Sequence, residues 1–329
     1  MATRRNGSAN GRASICLGIG RNGSGMLIVA MTSLPSRLPG LAPVLRALAL
    51  QTRRPDGLVL SLPRRSHRER RDYVVPTILR DELARHSWMH LQWLQEDHGP
   101  GTGVMGALDW ASRCRPQQLP SGGDRDILVI AGDDHTYEPR ALGDLLAQQR
   151  RYGLAAVCTY YAYFFRGLRV AQGSDLLAFQ LGTIAGGLSS FHRDYVAGDA
   201  DCFLQDDLWM AMYFHLHGVK VVSEPLRQVL RRRGMGFVYD GSTVAGASGL
   251  AELTGDQARP LVTFRCFERL VERLRQATIL GEAARRLAEL EAEVALAEQE
   301  IQKAEAASMT KRAASLRYFY RAEGWPLRE

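Results

Sequence analysis

The chain has 329 residues, 46% hydrophobic and 23% charged, with a formal net charge of +7. This is an ordinary globular balance, long enough for one large domain with an appendage or for two domains. The longest apolar stretch, around LAAVCTYYAYFF (Leu154–Phe165), is too short to span a bilayer, so no transmembrane helix is expected. Much of the positive charge is local, in RRSHRERRD (Arg64–Asp72) and RQVLRRR (Arg227–Arg233). Basic runs can bind nucleic acid or acidic membranes, but no nucleic-acid motif accompanies these. They read either as solvated loop or helix faces or as arginines lining a pocket for an anionic small molecule such as a nucleotide diphosphate. The five cysteines are odd in number, far apart and without metal-ligand spacing, so a reduced compartment, the cytoplasm, is expected.

Residues 1–25 are rich in Gly, Ser, Asn and Arg and contain no acid. They cannot bury a core and read as a disordered tail, although the composition also suits an organelle-targeting peptide. Order begins at MLIVAMTSLP (Met26–Pro35), a buried strand bounded by proline. Leu41, Val44, Leu45 and Leu48 then fall on one helical face, and GLVLSLP (Gly57–Pro63) is a second strand. This β-α-β order predicts a parallel sheet with helices on its faces. MHLQWLQ (Met89–Gln95) continues it as a strand, GVMGALDWA (Gly103–Ala111) as a helix and Ile127–Ala131 as a strand. A helix marked by Leu142, Leu145 and Leu146 comes next, then the strand LAAVCTYY, a helix over Asp206–His217 and the strand VKVVSEP (Val219–Pro225). Past Tyr239 the Gly-rich segment Asp240–Gln257 reads as a mobile loop, either a lid or a plain linker. Beyond Pro260 the chain reads helical. Leu287, Leu290, Val294, Ala297, Ile301, Ala304 and Ser308 form a weak heptad seam, suited to self-association or to packing on the chain's own body. The expected organisation is a tail (1–25), an α/β domain (26–258) and a helical or coiled-coil extension (259–329).

Three polar constellations interrupt this frame. DILVIAGDDHTYEP (Asp126–Pro139) ends a buried strand in two adjacent carboxylates, Asp133 and Asp134, which repel each other and resist burial. A hard divalent cation would supply the missing positive charge; alternatively the pair satisfies backbone amides of a turn. His135 beside them is a modest further candidate ligand, whereas His215 and His217 point to different helix faces and are read as neither. CFLQDDLWMAM (Cys202–Met212) places Asp206 and Asp207 at a helix start, where one acid caps the helix and the other is left to act as a general base. Between them, in LGTIAGGLSSFHR (Leu181–Arg193), Gly182, Gly186 and Gly187 would weaken a buried strand unless a flat ligand such as a sugar approaches the backbone; the other reading is a pair of tight turns. The aromatics Tyr160, Tyr161, Tyr163, Phe164 and Phe165 read as core or pocket wall rather than a sugar platform.

With these residues in place the chain resembles GT-A glycosyltransferases related to family 2. MTSLPSRLPGLAPVLRALALQTRRPDGLVLSLP is similar to their opening strand, nucleotide-contacting turn, helix and QT..PD turn. EDHGPGTGVMGAL (Glu96–Leu108) resembles their D-Y-G-P-A-T-K-L segment, GDDHTYEP their D-D-D-x-x-Y-x-P motif, and GGLSSFHRDYV followed by LQDDLWMAM their acceptor-side segment and (E/D)-D-x-W pair. The likeness covers roughly residues 26–230, and within the family it points toward the rhamnosyltransferase-like first domain of multidomain glycosyltransferases from large algal viruses. It implies a GT-A, Rossmann-like fold and transfer of a sugar from a nucleotide diphosphate, expected to be a UDP-sugar, to a hydroxyl of a glycan or other acceptor with inversion. It also implies Mn2+ or Mg2+ on Asp134 and Asp133, nucleotide contacts from Thr32, Pro35, Arg37, Asp97 and Asp133, donor or sugar contacts near Gly186 and Gly187, and Asp207 as base with Asp206 as helper. Two positions depart from the family: its first motif Asp is Gly132 here, and its usual lysine is Gly103. If that lysine steadies the diphosphate, Arg37 or one of Arg231–Arg233 must replace it. A nucleotide-sugar-binding protein without catalysis and a nucleotidyltransferase are the competing readings; the turn TSLPSRLPG lacks the glycine cluster of the latter.

Overall fold

A computed structural model describes residues 25–114, 126–134, 136–152, 156–159, 162–171, 176–223, 259–277 and 279–306. Strand β1 (Leu27–Met31) is buried along its whole length. Alternate side chains of a strand face opposite ways: Ile28 and Ala30 enter one apolar cluster, and Leu27, Val29 and Met31 enter another on the opposite face. Helix α1 (Ala42–Ala49) has only eight residues, too few to persist alone. It is held by burying Val44, Leu45 and Leu48 on the second face, each such burial contributing roughly 1.5–3 kcal/mol. Strand β2 (Gly57–Pro63), the two-residue strands β3 (Arg65–Ser66) and β4 (Arg71–Asp72), helix α2 (Thr77–Ala84), strand β5 (Met89–Leu94) and helix α3 (Thr102–Cys114) follow.

Next come β6 (Ile127–Ile130), α4 (Ala141–Tyr152), β7 (Ala156–Thr159), β8 (Ala162–Phe165), β9 (Leu168–Ala171), β10 (Leu177–Gln180), α5 (Leu181–Phe191), α6 (Asp206–Leu216) and β11 (Lys220–Ser223). Two C-terminal helices, α7 (Arg259–Gln276) and α8 (Gly281–Ala306), close the described chain. The described strands form a seven-stranded sheet in the order β11-β7-β10-β6-β1-β2-β5. Its pairs are parallel except where β10 runs antiparallel between β6 and β7. Helices α1, α2 and α4 cover one face; α3, α5, α6, α7 and α8 contribute to the apolar cluster on the other. The expected α/β architecture, a mostly parallel Rossmann-like sheet between helices, is the one observed. No helix among the described residues is long and apolar enough to cross a membrane.

Several local readings are refined or corrected. The stretch around LAAVCTYYAYFF is two strands: β7 joins the sheet, and β8 pairs with β9 in a separate hairpin. Because this hairpin, not a crossover helix, links β7 to β10, β10 returns antiparallel. The Gly-rich segment is neither strand nor turns but helix α5. Leu287 and Leu290 of the heptad seam are buried in the chain's own core, with Val294 packed against it, so at these positions the seam packs on the body. Cys202 and Cys266 form a disulfide, with Cα atoms 4.8 Å apart, which corrects the expectation of reduced cysteines for this pair. They lie 64 residues apart in sequence, and only the docking of α7 brings them together. Most of the N-terminal tail, His135, Tyr160, Tyr161, Arg231–Arg233, the loop Asp240–Gln257 and Ser308 lie outside the described residues.

Candidate functional site

From β1 the sheet grows one way through β2 and β5, then adds β6 on the other side of β1. Open α/β sheets bind ligands where the strand order reverses, beyond the carboxyl ends of the strands. Here that point lies between the turn after β1, carrying Thr32, Ser33 and Arg37, and the turn after β6, carrying Asp133 and Asp134. The two turns are bonded across the crevice. Ser33 Oγ donates to Asp133 Oδ2 at 2.6 Å, and Arg37 Nη1 lies 2.7 Å from Asp133 Oδ1 and 3.4 Å from Asp134 Oδ2. Arg37 thus supplies positive charge to the crowded carboxylates. It does not fully offset their burial. Desolvation pushes the Asp133 carboxyl above its usual range, with Arg37 and Ser33 opposing and Asp134 adding to the rise.

A cleft opens here, lined among others by Thr32, Arg37, Arg68, Asp97, Asp133 and Phe203. Thr32 Oγ1 donates to the Ser61 carbonyl at 2.8 Å, fixing the end of β1 to β2. Asp97 accepts from the His67 amide at 2.7 Å and the Gly99 amide at 2.9 Å, joining the β3–β4 turn to the turn before α3. Gly99 has φ +58°, and a Cβ there would lie 2.1 Å from the Phe203 carbonyl oxygen, so a side chain is excluded. The β3–β4 turn is tied to the β1 turn by Glu69, which accepts from the Ser36 amide at 3.1 Å and from the Ser36 hydroxyl. Burial raises the Glu69 carboxyl, but its bonds from Ser36 and Arg71 outweigh this and hold it below the usual range. Tyr73 donates its hydroxyl to the Ser33 carbonyl at 2.8 Å, and burial, followed by Asp97, drives its pKa upward.

Asp206 and Asp207 occupy the first turn of α6, half-buried, after Gln205 at the N-cap. They do not line the cleft, but the loop just before them does, through Phe203 and Leu204. Asp206 Cβ also lies 4.0 Å from where a Cβ on Gly101 would stand, beside the cleft residue Pro100. Helix α7 fixes this loop. Arg273 pairs with Asp199 at 2.8 Å, Arg265 with Asp201 at 3.2 Å, Thr263 Oγ1 donates to Gln205 Oε1 at 2.9 Å, and Cys266 is bonded to Cys202.

Of the expected residues, Thr32, Arg37, Asp97 and Asp133 share the cleft, with Asp134 reached through Arg37. Pro35 shapes the same turn without lining the cleft. Gly187 serves helix packing: a Cβ there would meet the Tyr213 hydroxyl at 2.2 Å. The surroundings of Gly186 lie outside the described side chains. Sequence reasoning missed Ser33, Tyr73 and Phe203, and it flagged Arg68 only as one of a run. Among the described residues no group of three or more His, Cys, Asp or Glu gathers into a metal site. Two adjacent carboxylates nevertheless fit a hard divalent cation, which commonly takes one or two protein carboxylates and completes its shell with phosphate and water.

The class defined so far is a Rossmann-like α/β protein with an acidic, arginine-bearing cleft at its strand-order reversal. No protein-family model matches the chain, and no curated protein matches it. Among solved structures it is similar to the mannosyltransferase PcManGT from Pyrobaculum calidifontis in complex with GDP-Man and Mn2+. That match has 14% identity, covers 91% of this chain and 88% of that one, and has a TM-score of 0.42. It is also similar to the Francisella tularensis 2-C-methyl-D-erythritol 4-phosphate cytidylyltransferase, with 10% identity, 64% and 98% coverage and a TM-score of 0.34. Mouse xyloside xylosyltransferase 1 in its apo form matches with 13% identity, 61% and 85% coverage and a TM-score of 0.31.

Proposed function

We propose that the chain is a metal-dependent glycosyltransferase of the GT-A type, moving a sugar from a nucleotide diphosphate, a UDP-sugar by resemblance, to an acceptor hydroxyl with inversion. The observation that carries this reading is the Arg37–Asp133–Asp134 cluster at the reversal point, whose Arg37 and Asp133 line one cleft with Thr32 and Asp97. Residues 26–258 form the transferase domain in this reading, and 259–329 its helical extension. Thr32, Arg37 and Asp97 hold the nucleotide, with Pro35 setting the turn. Asp133 and Asp134 would hold Mn2+ or Mg2+, which would offset the charge that develops on the departing diphosphate. Asp207, from the first turn of α6, takes the proton of the acceptor hydroxyl, and Asp206 beside it helps, its negative charge also favoured by the helix dipole. The segment around Gly186 and Gly187 borders the sugar. A single base facing the departing diphosphate favours in-line displacement, hence inversion.

One observation favours a second reading, binding without catalysis: Arg37 already neutralises part of the charge that a cation would meet. Release of nucleoside diphosphate from a panel of nucleotide sugars, with Mn2+ and a hydroxyl acceptor, separates the two. The wild-type chain is expected to release it. Asp207→Asn is expected to lower kcat about 10²–10⁴-fold, the usual worth of a general base, with the donor KM little changed. Wild-type turnover in the variant would remove Asp207 as base. No release from any donor would leave the binding reading, and pyrophosphate release from a nucleoside triphosphate would make the chain a nucleotidyltransferase.

A further inference from the structure

Resting on that reading, the cleft holds a guanidinium, that of Arg68, with two nitrogens that find no partner among the described residues. Arg68, in the turn between β3 and β4, lines the cleft beside Arg37, Asp97 and Asp133. Its Nε and Nη2 are shielded from water and have no hydrogen-bond partner among the described residues. The nearby acids have other donors: Glu69 bonds Ser36 and Arg71, Asp133 bonds Ser33 and Arg37, and Asp97 accepts the His67 and Gly99 amides. Burial and then the like charge of Arg37 push Arg68 below its usual pKa, yet a guanidinium stays protonated. Arg37 Nε is likewise shielded and unpartnered. Shielded charged donors without acceptors are costly, and such groups in a folded protein call for an explanation.

A guanidinium presents Nε and one terminal nitrogen along one edge as a fork that matches two oxygens of a phosphate. Two arginines close enough to repel each other gain most from a ligand carrying two or more negative charges. We infer that Arg68 is the diphosphate-binding cation of the donor site, engaging phosphate oxygens through Nε and Nη2. The position of the family's lysine offers no such group. A Cβ on Gly103 would already lie 3.0 Å from the Met31 carbonyl carbon and 3.0 Å from the Thr32 nitrogen, because the start of α3 backs directly onto the end of β1. Arg37 is spent in part on the aspartates. Arg68 lines the same cleft from the β3–β4 turn.

The test uses the full chain and inorganic pyrophosphate, measured by titration calorimetry without metal and again with Mn2+. The wild type is expected to bind. Arg68→Met is expected to bind roughly 10- to 100-fold more weakly, the worth of hydrogen bonds to a charged group. Arg68→Lys, a charge without the fork, is expected to fall between. The unliganded Arg68→Met protein should melt no lower than wild type, since it loses a half-buried guanidinium with two shielded, unpartnered nitrogens; a structural role would lower its melting temperature. Affinity for free nucleosides should be unchanged. Wild-type pyrophosphate affinity in Arg68→Met, or loss of nucleoside affinity with pyrophosphate binding kept, overturns the assignment. The two proposals fail separately. Arg68-dependent pyrophosphate binding without sugar transfer removes the transferase reading alone, and an active transferase whose Arg68→Met variant binds pyrophosphate normally removes Arg68 alone.

Discussion

His192 packs edge-on against His98 and Trp209, with ring centroids 4.8 and 5.2 Å away. Burial, with a smaller contribution from His98, lowers its pKa from 6.5 to about 4. The unfolded chain therefore binds a proton between these values that the folded chain refuses, so stability is full above pH 6.5 and falls as pH drops toward 4. The loss at this residue is expected to reach up to about 3 kcal/mol. Urea midpoints at pH 7 and pH 5 should differ for wild type and differ less for His192→Phe; an equal difference would place the acid sensitivity elsewhere. At this scale the sequence was readable on its own where paired acids broke an apolar strand end, at Asp133 and Asp134, while Thr32, Arg37 and Asp97 were legible only through the family resemblance. It could not separate Arg68 from Arg64, Arg65, Arg70 and Arg71, because which arginine of a hairpin turns inward depends on the turn itself. Ser33 gave no signal: a serine in a turn is ordinary until a buried carboxylate is found opposite.

Among the elements, α7 acts as a splint for the loop that carries Phe203 and leads to Asp206 and Asp207. An arginine pair on two aspartates, a hydroxyl on Gln205 and a disulfide all converge on Asp199–Gln205. The disulfide closes a loop of 64 residues, for which chain entropy suggests a contribution of about 4 kcal/mol. Cys202→Ala with Cys266→Ala is expected to lower the urea midpoint accordingly and, on the proposed function, to reduce turnover more than donor affinity, because in that reading the loop positions the base rather than the nucleotide. An unchanged midpoint and turnover would deny the splint. The parallel strands and their helices were legible because β1 and β2 are short apolar runs bounded by turn residues and α1 and α4 keep an apolar period of 3.6 residues. Helix α5 was not. Its glycines argue against any regular element, and it is held by tertiary contacts, including the close fit of Gly187 under Tyr213. The disulfide was invisible for a related reason, since no local spacing records a contact made by folding α7 back onto the body.

For the whole molecule, the decisive feature is that residues from four separated segments meet at a single crevice: Arg37 after β1, Arg68 between β3 and β4, Asp97 after β5 and Asp133 after β6. The order of motifs along the chain foretold that convergence, while the antiparallel β10 and the two hairpins did not show in it. The binding of a nucleotide sugar to this crevice can be read as stabilisation of the folded chain, since a ligand that binds only the native state adds about 2.7 kcal/mol at a hundred times its Kd. The most direct measurement is a thermal-shift panel of nucleotide sugars, with Mn2+ and with chelator, on the wild-type chain and on Asp133→Asn. The expected result is a rise of roughly 5 °C with at least one donor, larger with Mn2+ than with chelator and strongly reduced in Asp133→Asn. No rise with any nucleotide sugar, or an equal rise in the variant, would contradict the placement of the donor at this crevice.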